Sequence, residues 1–192
     1  MSPRTCAWSP GRVAGGLLGL GLAAAAMLIA EPSHSADARP MGLTPKSKVS
    51  TQGLGPVRVG MTKSAAERAA RMPMRYSGPA RDGCRYMRPA DARIRASFML
   101  HRGRVVRVDI ARRGIATPSG VRVGDSEASV RRLFAGDLRI RRHQYTDGYY
   151  LEFVPEDQAE RNRRVVFETT RGTVGYIRAG RLPEVRYIEG CS

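Results

Sequence analysis

The chain is poor in the residues that carry most enzyme chemistry. Its 192 residues include 3 histidines, 3 cysteines and 1 tryptophan. Cys6, Trp8 and His34 fall before position 39, so the body of the protein keeps His101, His143, Cys84 and Cys191. A zinc site needs three or four ligands, and with no cysteine to spare no metal is expected. No Cys-His constellation is present to activate a thiol. Ser126 follows Gly124-Asp125, but Ala128 stands where a nucleophile elbow needs its last glycine. Helix capping accounts for that serine. Glu152, Glu156, Asp157 and Glu160 are close enough to suggest a carboxylate pair for glycoside hydrolysis. Pro155-Glu156-Asp157-Gln158 reads instead as a solvated turn. No phosphate-cradling glycine loop is present. The expectation is a protein with no cofactor and no enzymatic activity.

Lysine is scarce too, at positions 46, 48 and 63, so the positive charge is arginine. Against 17 acidic residues, 33 basic ones give a net charge of +16. Such a charge attracts anionic surfaces. The arginines are spread along the chain rather than gathered in one tract, and export argues against nucleic acid as the partner. Anionic lipid, an envelope polymer or an acidic protein fits better. A charged, soluble exterior without a specific ligand is the plainer alternative.

A long apolar run occurs once. Arg4 and Arg12 precede an uncharged stretch from Val13 to Ala30, which Glu31 and Pro32 end. Ala36-Asp37-Ala38 then supplies small residues for cleavage. Basic start, apolar middle and small-residue exit make residues 1–38 a cleaved signal peptide. A retained anchor is the alternative, but the run is rich in Gly and Ala and only at the lower limit for spanning a bilayer. Removing residues 1–38 takes away Arg4, Arg12, Glu31 and Asp37, so the net charge is unchanged. The mature protein is expected in the periplasm or secreted, with no membrane span. In that oxidising setting Cys84 and Cys191 are expected to form a disulfide.

Residues 39–54 have no periodicity and several Pro, Gly, Ser and Thr, and read as a flexible leader. Beyond them the chain repeats itself. Val57-Arg58-Val59-Gly60 recurs as Val121-Arg122-Val123-Gly124, followed by the N-cap residues Thr62 and Ser126. Helices are expected over 63–71 and 127–134. Asp82-Gly83 recurs as Asp147-Gly148, a hairpin signal. Arg102-Gly103 recurs as Arg171-Gly172 at two further hairpin tips. Val106-Arg107-Val108-Asp109-Ile110 alternates as a strand with one buried face should. A last strand is expected from Val185 to Glu189. The spacing predicts an α+β fold of two tandem units, 55–118 and 119–192, each a helix on a small antiparallel sheet.

Val59-Gly60-Met61-Thr62 before a helix, then antiparallel strands, resembles the opening of the small outer-membrane lipoprotein A domain. Two such units in tandem resemble the β-lactamase inhibitory protein fold. The resemblance covers about residues 55–191 in plan and few residues in motif; the second copy reads Gly124-Asp125-Ser126 instead. Proteins of these kinds bind other proteins, so the resemblance implies a non-catalytic binder of an envelope or secreted partner, an inhibitor being one form. The residues offer a surface for it. Tyr145, Tyr149 and Tyr150 flank the second hairpin beside Arg139 and Arg141, and Arg186-Tyr187 on the last strand extends the patch. Tyrosine and arginine are enriched at interface hot spots. The alternative is that alternate residues are simply core and solvent faces. His101 and His143 read as exposed.

Overall fold

The strand sequences set apolar residues against charged ones every second position, and this alternation organises the molecule. A computed structural model describes residues 42–191; residues 1–41, with the expected signal peptide of 1–38, and Ser192 lie outside the described residues. Three two-residue strands, β1 (Val49–Ser50), β2 (Gly53–Leu54) and β3 (Val57–Arg58), form a small antiparallel sheet. Helix α1 (Lys63–Ala70) follows, then β4 (Met74–Arg81), β5 (Cys84–Pro89), β6 (Ser97–His101) and β7 (Arg104–Ile110). Helix α2 (Glu127–Leu133) leads into β8 (Leu138–Arg142), β9 (Tyr149–Phe153), β10 (Arg163–Thr170) and β11 (Thr173–Arg181).

The two helices start where their caps predict. Thr62 Oγ1 accepts from the Ala65 amide and Ser126 Oγ from the Ser129 amide. Both helices are short, and together they are minor elements of a mostly β protein. The eight longer strands form one antiparallel sheet in the order β4-β5-β6-β7-β11-β10-β9-β8. Two helix-on-sheet units, each with a sheet of its own, are therefore not what the chain forms. The seam is β7 against β11, with Val108 opposite Ala179 and Ile110 opposite Ile177. Separate sheets would each leave one of these apolar strands as an unpaired edge, and pairing them removes both edges.

One apolar face results, and one core covers it. Met87, Phe98, Val108, Ile177, Phe167 and Leu151 project from successive strands into the same cluster as Ala66 and Ala70 of α1 and Val130 of α2. Val49, Leu54 and Val57 join it from the small sheet, and Leu43 from the segment before it. The segment expected as a flexible leader is thus folded from residue 42 onward. Its Leu43, Val49 and Leu54 are buried, and Val49 bonds through its amide to the Ala116 carbonyl.

Turn chemistry decides the hairpins. Asp82-Gly83, Arg102-Gly103 and Arg171-Gly172 all take positive φ at both positions, as two-residue primed turns require. Asp147-Gly148 does not. Residues 143–148 form a longer loop in which His143 Nδ1 accepts from the amides of Tyr145 and Thr146. Gly148 serves close approach instead, since a Cβ there would lie 1.7 Å from the Thr169 carbonyl oxygen.

Candidate binding surface

The other face of the eight-stranded sheet is a layer of charged and aromatic side chains. Tyr86 and Arg88 reach it from β5, Arg107 and Asp109 from β7, and Tyr176 and Arg178 from β11. Arg164 and Glu168 follow from β10, Tyr150 and Glu152 from β9, and Arg139 and Arg141 from β8. Much of the layer is out of water. Arg107, Asp109, Glu152, Arg164 and Arg178 are all buried. The alternation read from β7 was right in period, but its charged face is not the solvent face.

Burial of so much charge requires partners. Arg107 Nη2 donates to the Tyr86 hydroxyl at 2.6 Å and to Asp109 at 2.9 Å. Its Nη1 donates to the carbonyls of Glu184 and Tyr187. Arg178 donates to the same Tyr187 carbonyl and to Glu168 at 3.0 Å. Glu168 accepts from Nε2 of His143, whose Nδ1 is occupied by the two loop amides, and that fixes the tautomer. His143 stacks on Tyr150 with ring centroids 4.6 Å apart, so it is buried, not exposed. Arg141 and Arg178 each lie 5.5 Å from the Tyr150 ring centre. Glu152 then binds Arg164 at 3.0 Å and Arg186 at 2.9 Å.

The lid of this layer is the C-terminal segment. It was expected as a strand from Val185 to Glu189, but residues Glu184–Arg186 form a 3-10 turn after the cis Leu182–Pro183 bond. The reason lies in its carbonyls: those of Glu184 and Tyr187 serve Arg107 and Arg178 and are not free for a ladder. Val185 is fully buried with Tyr150 and Val166. Glu184 is held by His101 at 2.9 Å and by Arg181. The Cys84–Cys191 disulfide, Cα atoms 5.4 Å apart, ties the segment's end to β5. That bond fits an extracytoplasmic protein. No helix among the described residues is long and apolar enough to cross a membrane.

The charge states follow from these contacts. Burial pushes the Tyr176 hydroxyl up, with Asp109 adding to it, to about 12. Burial likewise raises Tyr86, again with Asp109. For Glu152 burial acts upward too, but the bonds from Arg186 and Arg164 outweigh it and hold the carboxyl below its usual range. Glu184 is lowered in the same way, its burial outweighed by Arg181 and His101. Each of these shifts moves its group away from neutrality, whereas an acid-base catalyst is tuned toward it. Among the described residues no cluster of three or more His, Cys, Asp or Glu side chains is placed to hold a metal.

The residues singled out from sequence do not share one place. Arg141 and Arg186 converge on Glu152, Arg141 also lies over the Tyr150 ring, and all three form part of the layer. Arg139 and Arg141 project to that side from β8, which among the described residues pairs only with β9. Tyr145 lies on the adjoining loop, 63% exposed, and its hydroxyl donates to Glu189 at 3.0 Å. Tyr149 belongs to the opposite face, packed against the core with Arg131 and Arg142 over its ring. Tyr187 is exposed and stands apart, in a groove beside the disulfide with His101 and Arg81. Sequence reasoning missed Arg107, Asp109, Glu168 and Arg178. Their one signal was a charged residue inside an otherwise apolar strand, clearest in β7, where Arg107 and Asp109 alternate with Val106, Val108 and Ile110.

No protein-family model matches the chain, and no curated protein matches it. Among solved structures, the chain is similar to the uncharacterised protein yfeY of Escherichia coli, with 15% identity over 70% of this chain and 99% of that one, at a TM-score of 0.45. It is also similar to an extracellular protein containing an SCP domain from Bacillus anthracis, with 10% identity over 65% of this chain and 44% of that one, at a TM-score of 0.43. Likenesses of this strength define neither fold nor function.

Proposed function

We propose that the protein is exported and acts as a non-catalytic binder, taking an acidic, extended segment of an envelope or secreted protein along β8. The observation that carries this reading is the state of that edge. Leu138–Arg142 pairs on one side only among the described residues, and Arg139, Ile140, Arg141 and Arg142 are all exposed on it. An open edge offers main-chain hydrogen bonds to an incoming strand, and flanking side chains select it. The arginines oppose self-pairing between copies and favour an acidic partner. Tyr145 beside them supplies a large, rigid contact. Inhibition of an enzyme is one outcome such binding could have. The apolar run and cleavage signal of residues 1–38 support delivery to the periplasm or exterior.

A photo-crosslinking side chain at Tyr145 tests this. It should capture a discrete partner from an envelope or secreted fraction at physiological salt, and Arg139→Glu with Arg142→Glu should abolish the capture. Capture that survives the charge reversal would sink the proposal.

The overall charge of +16 favours a second reading, electrostatic association with anionic lipid or polymer. That version requires binding that collapses at about 0.5 M salt, where the screening length falls to about 4 Å, and that ignores which arginines are changed.

A further inference from the structure

Away from β8, the same sheet face carries an open cleft of about 620 Å³ over β5, β6, β7 and β11. Its wall combines Arg88, Arg95 and Arg112 with Ser97 and Tyr176, and Ile94 lies in its apolar part. The acid on that wall is Asp109, which is buried and already bound by Arg107 through two contacts. The three arginines are in a different state. Arg88 donates through Nε to Ser97 at 3.1 Å. For Arg95 and Arg112 no carboxylate comes within ion-pair distance among the described residues. By contrast, Arg93 on the same loop is neutralised by Asp91 at 2.8 Å. The cleft runs into a second groove of about 460 Å³ that shares Arg88, Ser97 and Tyr176. That groove is lined by Arg178 with its partner Glu168, and by Glu189, so the unneutralised charge lies in the first cleft.

We infer that this cleft is a binding site for a phosphoryl group carried on an apolar or ring-shaped body. Three guanidinium groups without carboxylates, aimed at one cavity, match a multiply charged tetrahedral anion better than a carboxylate, and arginine binds phosphate oxygens bidentately. Ser97 and the neutral hydroxyl of Tyr176 add two further donors. Pro89 at the end of β5, with Ala90, Ala92 and Ile94 of the β5–β6 loop, gives the rest of the ligand an apolar wall. The site is separate from the β8 edge, at the other half of the sheet, and stands whether or not that edge binds a protein.

Titration calorimetry on the full chain tests it, with inorganic phosphate and hexyl phosphate as probes. Hexyl phosphate should bind saturably and more tightly than inorganic phosphate. Arg95→Ala and Arg112→Ala, both at exposed positions, should each weaken it about tenfold, as loss of a charged hydrogen bond does. Arg132→Ala, on the exposed side of α2, controls for general charge and should leave binding unchanged. Vesicles containing phosphatidic acid distinguish the source. Retention lost in Arg95→Ala assigns the phosphoryl group to a lipid, and retention indifferent to it assigns a soluble ester. Absence of saturable hexyl phosphate binding, or an equal loss in Arg132→Ala, would overturn the inference.

Discussion

Replacing Glu152 by alanine is the sharpest probe of the buried charge layer. The Glu152 side chain is 1% exposed and contacts three arginines whose own exposures are 7% for Arg164, 40% for Arg186 and 53% for Arg141. When the carboxylate is removed, Arg186 and Arg141 can turn their charge to water. Arg164 cannot, and stranding one member of a buried pair costs about 3–5 kcal/mol. Arg164 Nη1 keeps two carbonyl acceptors, those of Arg161 and Arg163 at 2.8 and 2.6 Å. The expected loss therefore lies at the lower end, about 3 kcal/mol, a large share of the ~5–15 kcal/mol that holds a domain together. Urea unfolding followed by far-ultraviolet circular dichroism measures it, with the slope m unchanged from wild type. Adding Arg164→Met removes the stranded charge and should restore at least half of the loss, a coupling that a double-mutant cycle isolates. A loss below about 1 kcal/mol, the range of exposed ion pairs, would refute the claim that this layer is desolvated. So would a double variant less stable than Glu152→Ala alone.

The remaining predictions follow from the same geometry. Cys84→Ser with Cys191→Ser opens a loop spanning 107 residues, and the unfolded chain then gains entropy worth up to about 4.7 kcal/mol; a change under 1 kcal/mol in urea midpoint analysis would contradict that. Glu152 and Glu184 have folded carboxyls held below the ordinary 4.5 of a glutamate. Their pairing contributes stability above that value and loses it as pH falls through the lower, folded values. Urea midpoints should thus drop on acidification below about pH 4.5, and a decline centred near neutrality would assign the loss to other groups. Gly148→Ala and Gly175→Ala should differ in sign. The first drives a Cβ to 1.7 Å from the Thr169 oxygen and should cost about 1–3 kcal/mol. The second meets its nearest atom at 3.9 Å and should be neutral or stabilising by up to about 1 kcal/mol. Equal melting temperatures for the two would show that the β9–β10 approach is looser than the structure has it.

Local signals were legible where the deciding contact is close in sequence. Thr62 and Ser126 announced their helices because a cap bonds three residues ahead. Asp82-Gly83, Arg102-Gly103 and Arg171-Gly172 announced turns because positive φ is a property of the pair itself. The joining of β7 to β11 was not legible, since Val108 and Ala179 carry no mark of each other. The repeat pointed to two sheets, and only the cost of two open edges argues for one. Asp147-Gly148 misled for a related reason: Gly148 answers to Thr169, a distant residue, rather than to turn geometry. For the candidate surface, Arg141, Tyr150 and Arg186 were found because tyrosine and arginine clustered visibly. Tyr149 was drawn in by adjacency, although neighbouring strand residues face opposite ways. Arg107 and Asp109 were passed over because alternation reports which residues share a face, not whether water reaches it.

That last distinction explains how the sheet keeps its register. On the polar face Asp109 sits opposite Arg178, and Glu168 opposite Tyr176, across adjacent strands. On the apolar face the same strands place Ile110 opposite Ile177 and Phe167 opposite Ile177 from the other side. A slip of one residue between β7 and β11 would turn over the strand that moves, sending Asp109 toward the core and Ile110 toward the charge layer if it is β7, or Arg178 and Ile177 likewise if it is β11. In an ordinary half-buried sheet the displaced apolar residues would meet water and the partner strand's polar residues would keep theirs. Here the charged residues of the strand that stays in place would also lose their partners while buried. The C-terminal segment adds to this selectivity, since the Tyr187 carbonyl accepts from Arg107 and Arg178 together only when β7 and β11 are in this register. The charge layer is therefore better understood as a device for specifying one arrangement of a large, otherwise repetitive sheet than as a source of net stability.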